Sequence, residues 1–324
     1  MVIKAPVRPA HTVQVVPPRR RRLPLRLRLR RDGVLLLLAV PGILVLLLFR
    51  YVPLLGNIIA FEDYQPFVGF IQSPWIGLEN FRVIVTGDAE FRTAVTNTLI
   101  ITLLQVMFVF PAPIALALLL NSLLSERLKR LVQSVLYLPH FLSWVIVVAI
   151  FQEVLGGSGL LNNWLRTHDH ATLSLIGNAG LFKELLTAQV IWKDTGWATI
   201  LFLAALSQID VGQYEAASVD GAGRWRQLWH ITLPGLRSII VLLFILRLGD
   251  VLSVGFEQII LQQGAVGPQA SEVLDTYVYH HGVINGQWGV SAAVGLVKGI
   301  VGVALVLAAN KVAHLFGEQG IYQS

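Results

Sequence analysis

Apolar residues in this chain gather in blocks of about 20, such as Val34 to Phe49 and Leu99 to Leu120, and a block of that length matches the hydrocarbon thickness of a bilayer. Composition points the same way. Of 324 residues, 55% are hydrophobic and only 14% charged, against roughly 25% charged in an average soluble domain. Blocks long enough to span lie at about 34–55, 94–120, 132–155, 186–206, 236–261 and 289–313. The expected fold class is therefore all-α, a polytopic membrane protein with six transmembrane helices and both termini on one side.

Charge is distributed just as unevenly. The formal net charge is +6, yet residues 1–33 hold ten Lys/Arg against Asp32 alone, so the remainder carries a net −3. A nucleic-acid-binding body would need its cations clustered on the folded surface, so nucleic acid is excluded as a partner. The run Arg19 to Arg22, with Arg26, Arg28, Arg30 and Arg31, ends against the first apolar block and reads as a topology signal facing anionic headgroups of the lipid bilayer. No small-residue cleavage pattern follows Phe49, where the chain continues Arg50-Tyr51-Val52-Pro53, so the first span is expected to stay in place. With the tail in the cytoplasm, Arg127, Lys129, Arg130, Arg224, Arg226, Arg237 and Lys311 also fall inside. Only Arg82, Arg92, Arg166 and Lys183, with Arg50 at a span end, fall outside, as the positive-inside rule requires.

The resulting layout is a basic cytoplasmic tail 1–33, a first helix 34–55, an extracytoplasmic loop 56–93, a five-helix core 94–313 and a cytoplasmic C-terminus 314–324. The outer loop mixes turn formers with aromatics (Pro66, Pro74, Trp75, Gly77), a composition suited to the membrane interface. In the last span Gly295-x-x-x-Gly299 offers a face for close helix approach. Disulfides and thiolate chemistry are excluded because the chain has no Cys. No Gly-x-x-x-x-Gly-Lys-Ser/Thr loop is present, so the chain is not itself an ATPase.

The fourth connection, 207–235, carries an ordered pattern where turn residues alone would suffice. Its residues predict a first short helix over Val211 to Val219, a turn at Asp220-Gly221 and a second helix to about His230, with Pro234 starting the fifth span. Ala216 and Ala217 would let the first helix sit close to a partner's backbone, and Glu215 offers a carboxylate for a cation there. Trp225, Leu228 and Trp229 share one face at i, i+3, i+4, which an amphipathic helix lying on lipid headgroups would also show.

Glu215-Ala216-Ala217, Gly221 and Ile231-x-Leu233-Pro234 match without a gap the EAA-loop signature of permease subunits of binding-protein-dependent ABC importers. Chance would produce those seven positions in roughly one chain in 10^5. The resemblance implies a type I ABC importer permease fold in the bacterial inner membrane. It also implies a coupling loop in which Glu215, Ala216, Ala217, Asp220, Gly221, Ile231, Leu233 and Pro234 dock on an ABC ATPase dimer. ATP and Mg would be bound by that partner, leaving this chain non-catalytic and without a cofactor. The other implied partners are a second homologous permease and an extracytoplasmic solute-binding protein. Further runs (Ile191-Trp192-Lys193, Gly196-Trp197, Gly255 to Ile259, Glu272 to Tyr279) resemble permeases of the LplB type. These are similar to the larger maltose-importer permease and to alginate-oligosaccharide importer subunits, so the implied cargo is an oligosaccharide or polysaccharide fragment, uronate-containing sugars included. The large extracytoplasmic insertion of the maltose type is absent here.

Ionisable residues within spans are costly and mark pathway candidates: Lys193 and Asp194, then Arg247 and Asp250 at i, i+3, then Lys298. Trp197 and Phe256 are aromatics suited to stacking on sugar rings. Internal charge pairing and packing are the alternative uses of these residues. His168-Asp169-His170 and His280-His281 fall in outer loops and give no convergent metal ligands, so no metal is expected. Two rival functions remain open at this stage. An ion-coupled secondary transporter would use the buried charges without an ATPase, and a membrane metal hydrolase would use the outer histidines.

Overall fold

The computed structural model describes residues 33–123, 125–315, 317 and 320. The basic tail and most of the C-terminal segment lie outside the described residues. The chain divides at Gly56 into two units. Helix α1 (Gly33–Phe61) opens the described chain, followed by α2 (Ala89–Asn121), α3 (Glu126–Tyr137), α4 (Trp144–Leu155), α5 (Phe182–Leu206), α6 (Val211–Val219), α7 (Arg224–Gly249), α8 (Phe256–Ile260), α9 (Leu274–Tyr279) and α10 (Trp288–Leu315). No strand occurs among the described residues, only an isolated bridge between Glu62 and Trp75.

Among the described residues, five helical stretches are long and apolar enough to cross a bilayer: α1, α2, Trp144–Thr167, α7 and α10. A sixth is α5, which passes only together with α6, the two being bent by 70°. Four charges (Lys183, Glu184, Lys193, Asp194) dilute the apolarity of α5.

Two expected spans are redrawn. The block at 132–155 is not one helix. Pro139 lacks an N–H and sits in a 3-10 turn at Leu138–Phe141, and Ser143 then restarts the helix by accepting from the Ile146 N–H at 3.4 Å. The amphipathic α3 is thereby split from the third crossing. The block at 236–261 stops at Gly249, and residues 250–273 fold as short turns around Gly255, whose φ is +107°.

Those turns leave backbone carbonyls without helical partners inside the packed fold, where an unpaired one costs about 1–3 kcal/mol. One face of α2 supplies the donors. Asn97 donates to the carbonyls of Gln269 and Glu272 at 3.1 and 2.9 Å, Thr102 to Val251 at 2.6 Å and Gln105 to Val254 at 3.1 Å. Thr98 accepts from the Leu274 N–H at 2.9 Å. Beside this ladder, Ile101, Phe182, Leu186, Val254, Ile259 and Val273 form one buried apolar cluster. Ala117, Phe202, Leu206 and Leu236 form another that holds α2, α5 and α7 together.

Close approach between α7 and α10 occurs at Gly302, where an added Cβ would come within 2.8 Å of the Gly249 carbonyl. At Gly295 and Gly299 an added Cβ would meet nothing within 4 Å, so the expected motif is not the contact.

Candidate functional site: a coupling loop and a charged cluster

The loop between α5 and α7 folds from strictly local signals. Asp210 caps α6 by accepting from the Gly212 N–H at 2.9 Å. At the other end Gly221 has φ +76°, its N–H bonds Ser218 O at 3.1 Å, and the Ala222 N–H bonds Ala217 O at 2.8 Å. That pair of bonds is a Schellman stop, which needs a residue able to take positive φ. Glu215, Ala216 and Asp220 are exposed and Ala217 is half-buried, so α6 presents its small residues and its carboxylate outward.

The second half of the loop is tied back to the first. Gln227 donates to Ser218 Oγ at 2.9 Å and to Ala222 O at 3.2 Å, and the Tyr214 and Thr232 hydroxyls bond at 3.0 Å. Ile231 and Leu233 are half-buried while Pro234 is exposed. The expectation that Pro234 starts a new span is corrected, because α7 runs unbroken from Arg224 to Gly249 with a π turn at Leu228–Thr232. Trp225 and Trp229 pack edge to face at 6.1 Å. Two grooves flank the loop. One of about 650 Å³ includes Asp210, His230 and Pro234, and one of about 670 Å³ includes Leu118, Tyr214 and Trp225.

A second group forms in the middle of α5. Lys193 is buried, donates to the His140 carbonyl at 2.8 Å and lies 3.7 Å from Asp194. Its ammonium sits 5.5 Å from the centre of the Trp144 ring. His140 Nδ1 is 2.9 Å from Asp194 Oδ1, and its ring stacks flat on Trp197 at 4.7 Å and 3°. The Arg247 guanidinium donates to Gln105 Oε1 rather than to Asp250, while Asp250 and Asp194 both lie near enough to attract it electrostatically.

Lys193, Asp194, Trp197 and Arg247 are thus brought into one neighbourhood, with Asp250 at the end of α7. Lys298 is not part of it, being ion-paired with Asp275 beside an apolar cavity of about 340 Å³. Phe256 packs against Tyr279 at 5.4 Å. His140 and Gln105 were missed in the sequence. The available signal was an imidazole and an amide standing inside otherwise apolar blocks, where a polar group needs a partner.

The outer histidines are each engaged separately. His168 stacks on Trp164 at 4.4 Å, His281 stacks on Tyr277 at 4.0 Å, and His280 lies 3.1 Å from the buried Glu272 carboxylate. Among the described residues no group of three or more His, Asp or Glu is placed to hold a metal ion.

Comparison with known proteins completes the description. Residues 109–317 match the model of the family described as binding-protein-dependent transport system inner membrane component. Protein LplB of Bacillus subtilis (strain 168) is 44% identical, covering 91% of this chain and 92% of its own. The polygalacturonan/rhamnogalacturonan transport system permease protein YteP of the same organism is also 44% identical, over 92% of this chain and 93% of its own. A solved bacterial alginate ABC transporter, in complex with alginate pentasaccharide-bound periplasmic protein, contains a chain that superimposes with a TM-score of 0.83 at 33% identity, covering 92% of this chain and 99% of that one.

Proposed function

Because the chain belongs to the family of binding-protein-dependent transport system inner membrane components, we propose that it is the permease subunit that carries half of the pathway of an oligosaccharide ABC importer. The observation that carries this reading is the loop 207–235. It folds as an outward-facing α6, a glycine stop and a tethered second helix, with Glu215 and Ala216 exposed where a partner would dock. In this reading ATP and Mg belong to a separate ATPase dimer that grips α6. A second, homologous permease supplies the other half of the pathway, and an extracytoplasmic binding protein delivers the sugar. The tail, the loop and the C-terminus then face the cytoplasm of a bacterial inner membrane.

Alternating access follows. Closure of the ATPases draws the coupling loops together, opens the outer side to receive sugar, and hydrolysis resets the inward-facing state. The pathway on this side of the interface is lined by Asp194, Trp197 and His140, with Lys193, Arg247 and Asp250 behind them. Support for an acidic cargo comes from two sides. Two of the comparison proteins are named for transport of polygalacturonan and alginate, and Lys193 and Arg247 stand behind the lining residues, where their field reaches a passing uronate carboxylate. Lys298 and Phe256 lie at the edge of this pathway in the proposal.

The test is uptake of labelled uronate oligosaccharides by cells in which this chain is the only permease of its kind. Uptake should need ATP and survive a protonophore, and Glu215→Lys should abolish it while the protein stays in the membrane at normal level. Uptake that follows the proton gradient and ignores Glu215→Lys would return the chain to secondary transport.

A further inference from the structure

Between Glu62-Asp63 and Glu79 the chain runs from residue 64 to residue 78 without a single charged side chain. The stretch is closed on itself rather than extended. Asp63 N–H bonds Pro74 O at 2.9 Å, Gln65 N–H bonds Ser73 Oγ at 3.1 Å, and Ser73 donates to Gly69 O at 2.8 Å. Tyr64 and Phe70 stack at 5.3 Å. This closure holds the tip outward instead of letting it collapse, so Phe67 and Ile71 are fully exposed (102% and 99%) and Phe70 half so. Three large apolar side chains side by side in water would be a liability.

The depth of the loop is set by its base. Asn80 donates to Ala60 O at 3.0 Å and Glu62 O at 2.9 Å, and it presses on Gly289 so closely that no Cβ fits there. Helix α10, whose first turn contains Gly289, runs 28 residues. That is about 42 Å at 1.5 Å per residue, more than the roughly 30 Å hydrocarbon layer. A helix of that length reaches past the hydrocarbon, and Trp288 at its start is an interfacial residue type, so in the proposal its first turn lies at the headgroup level, where the loop is fastened. The uncharged stretch holding Tyr64, Phe67, Phe70 and Trp75 has the composition of a membrane interface.

We propose that residues 64–78 form a lipid anchor, whose tip of Phe67, Phe70 and Ile71 inserts into the headgroup–acyl boundary of the leaflet at the N-terminal end of α10. The anchor depends on the membrane-spanning fold and not on the cargo or the ATPase. It would hold the base of the loop, and with it the start of α10, at a constant depth while the rest of the subunit rocks.

The chain's lack of cysteine makes the test clean. Phe67→Cys, Ile71→Cys and, as a water-facing control in an exposed polar loop, Ala171→Cys are labelled with an environment-sensitive fluorophore. The assembled transporter, built with cysteine-free partners, is then placed in phosphatidylethanolamine–phosphatidylglycerol nanodiscs with and without brominated acyl chains. Blue-shifted emission at positions 67 and 71, losing intensity in brominated lipid while position 171 does not, is the expected result. Water-like emission unaffected by bromine overturns the anchor. So does emission that shifts only when sugar-loaded binding protein is added, since the tip would then be a protein-docking surface.

Discussion

Gly196 shows how a single residue can set a site's geometry. A Cβ at this position would run into the Leu136 carbonyl, so the end of α3 can lie directly on α5 only because the side chain is missing. That contact brings the Leu138–Phe141 turn over α5 and puts His140 within reach of Asp194 and Trp197. Gly196→Ala should force the turn away, lowering stability by about 1–3 kcal/mol as an overpacked contact does and reducing uptake with it. Thermal unfolding of the detergent-purified protein reads the first effect. Gly299→Ala is the control, because its Cβ meets nothing within 4 Å; equal losses for both would mean that helix glycines matter here in general rather than this contact. The partners of the central charges were not legible in sequence for the same reason. Lys193 and Asp194 announce themselves as ions in an apolar block, but the groups that satisfy them sit on a turn more than 50 residues earlier, and no spacing rule reaches that far.

At the scale of elements, α2 is both a membrane crossing and a bracket. One face carries exposed Leu99 and Leu103, while Asn97, Thr98, Thr102 and Gln105 recur along the opposite face and hold the irregular stretch 250–273 and the Leu274 N–H that follows it. Asn97→Leu should leave the carbonyls of Gln269 and Glu272 without their donor, at about 1–3 kcal/mol for an orphaned buried group, whereas Leu103→Ala on the exposed side should change little. If the two variants unfold at the same temperature, the bracket contributes nothing. This division also explains which boundaries could be read in advance. The limits of α6 at Val211 and Val219 follow from Asp210 and Asp220-Gly221, signals lying within a few residues of the ends they set. The stop at Gly249 does not, because hydropathy continues to residue 261 and the groups that allow the helix to end come from α2.

Across the whole subunit, α7 joins the proposed coupling loop to the charged cluster in one continuous helix of 26 residues, a rod of about 39 Å. A push on Trp225 and its neighbours at one end is therefore delivered to Arg247 at the other, unless the rod yields along its length. Its one irregularity is the π turn at Leu228–Thr232, closed by the Leu233 N–H on Leu228 O, with Pro234 two residues beyond. The same order recurs in α1, a π turn at Leu47–Tyr51 before Pro53, and in α2, one at Gln105–Val109 before Pro111. A proline lacks the N–H for the preceding turn and crowds the carbonyl four residues back, and a widened turn relieves both within a membrane helix. Widening also inserts one residue, which rotates everything before it by roughly 100° relative to a regular α-helix. The direction in which the start of α7 faces, and with it the α6 tied to it through Gln227 and Thr232, thus depends on Pro234. Pro234→Ala removes the reason for the wide turn, and a segment that relaxes to regular helix turns its docking face away. Sugar moved per ATP hydrolysed should then fall while membrane level and thermal stability stay at wild-type values. An unchanged ratio would show that the turn is held by Gln227 and Tyr214 alone and that the proline is dispensable for coupling.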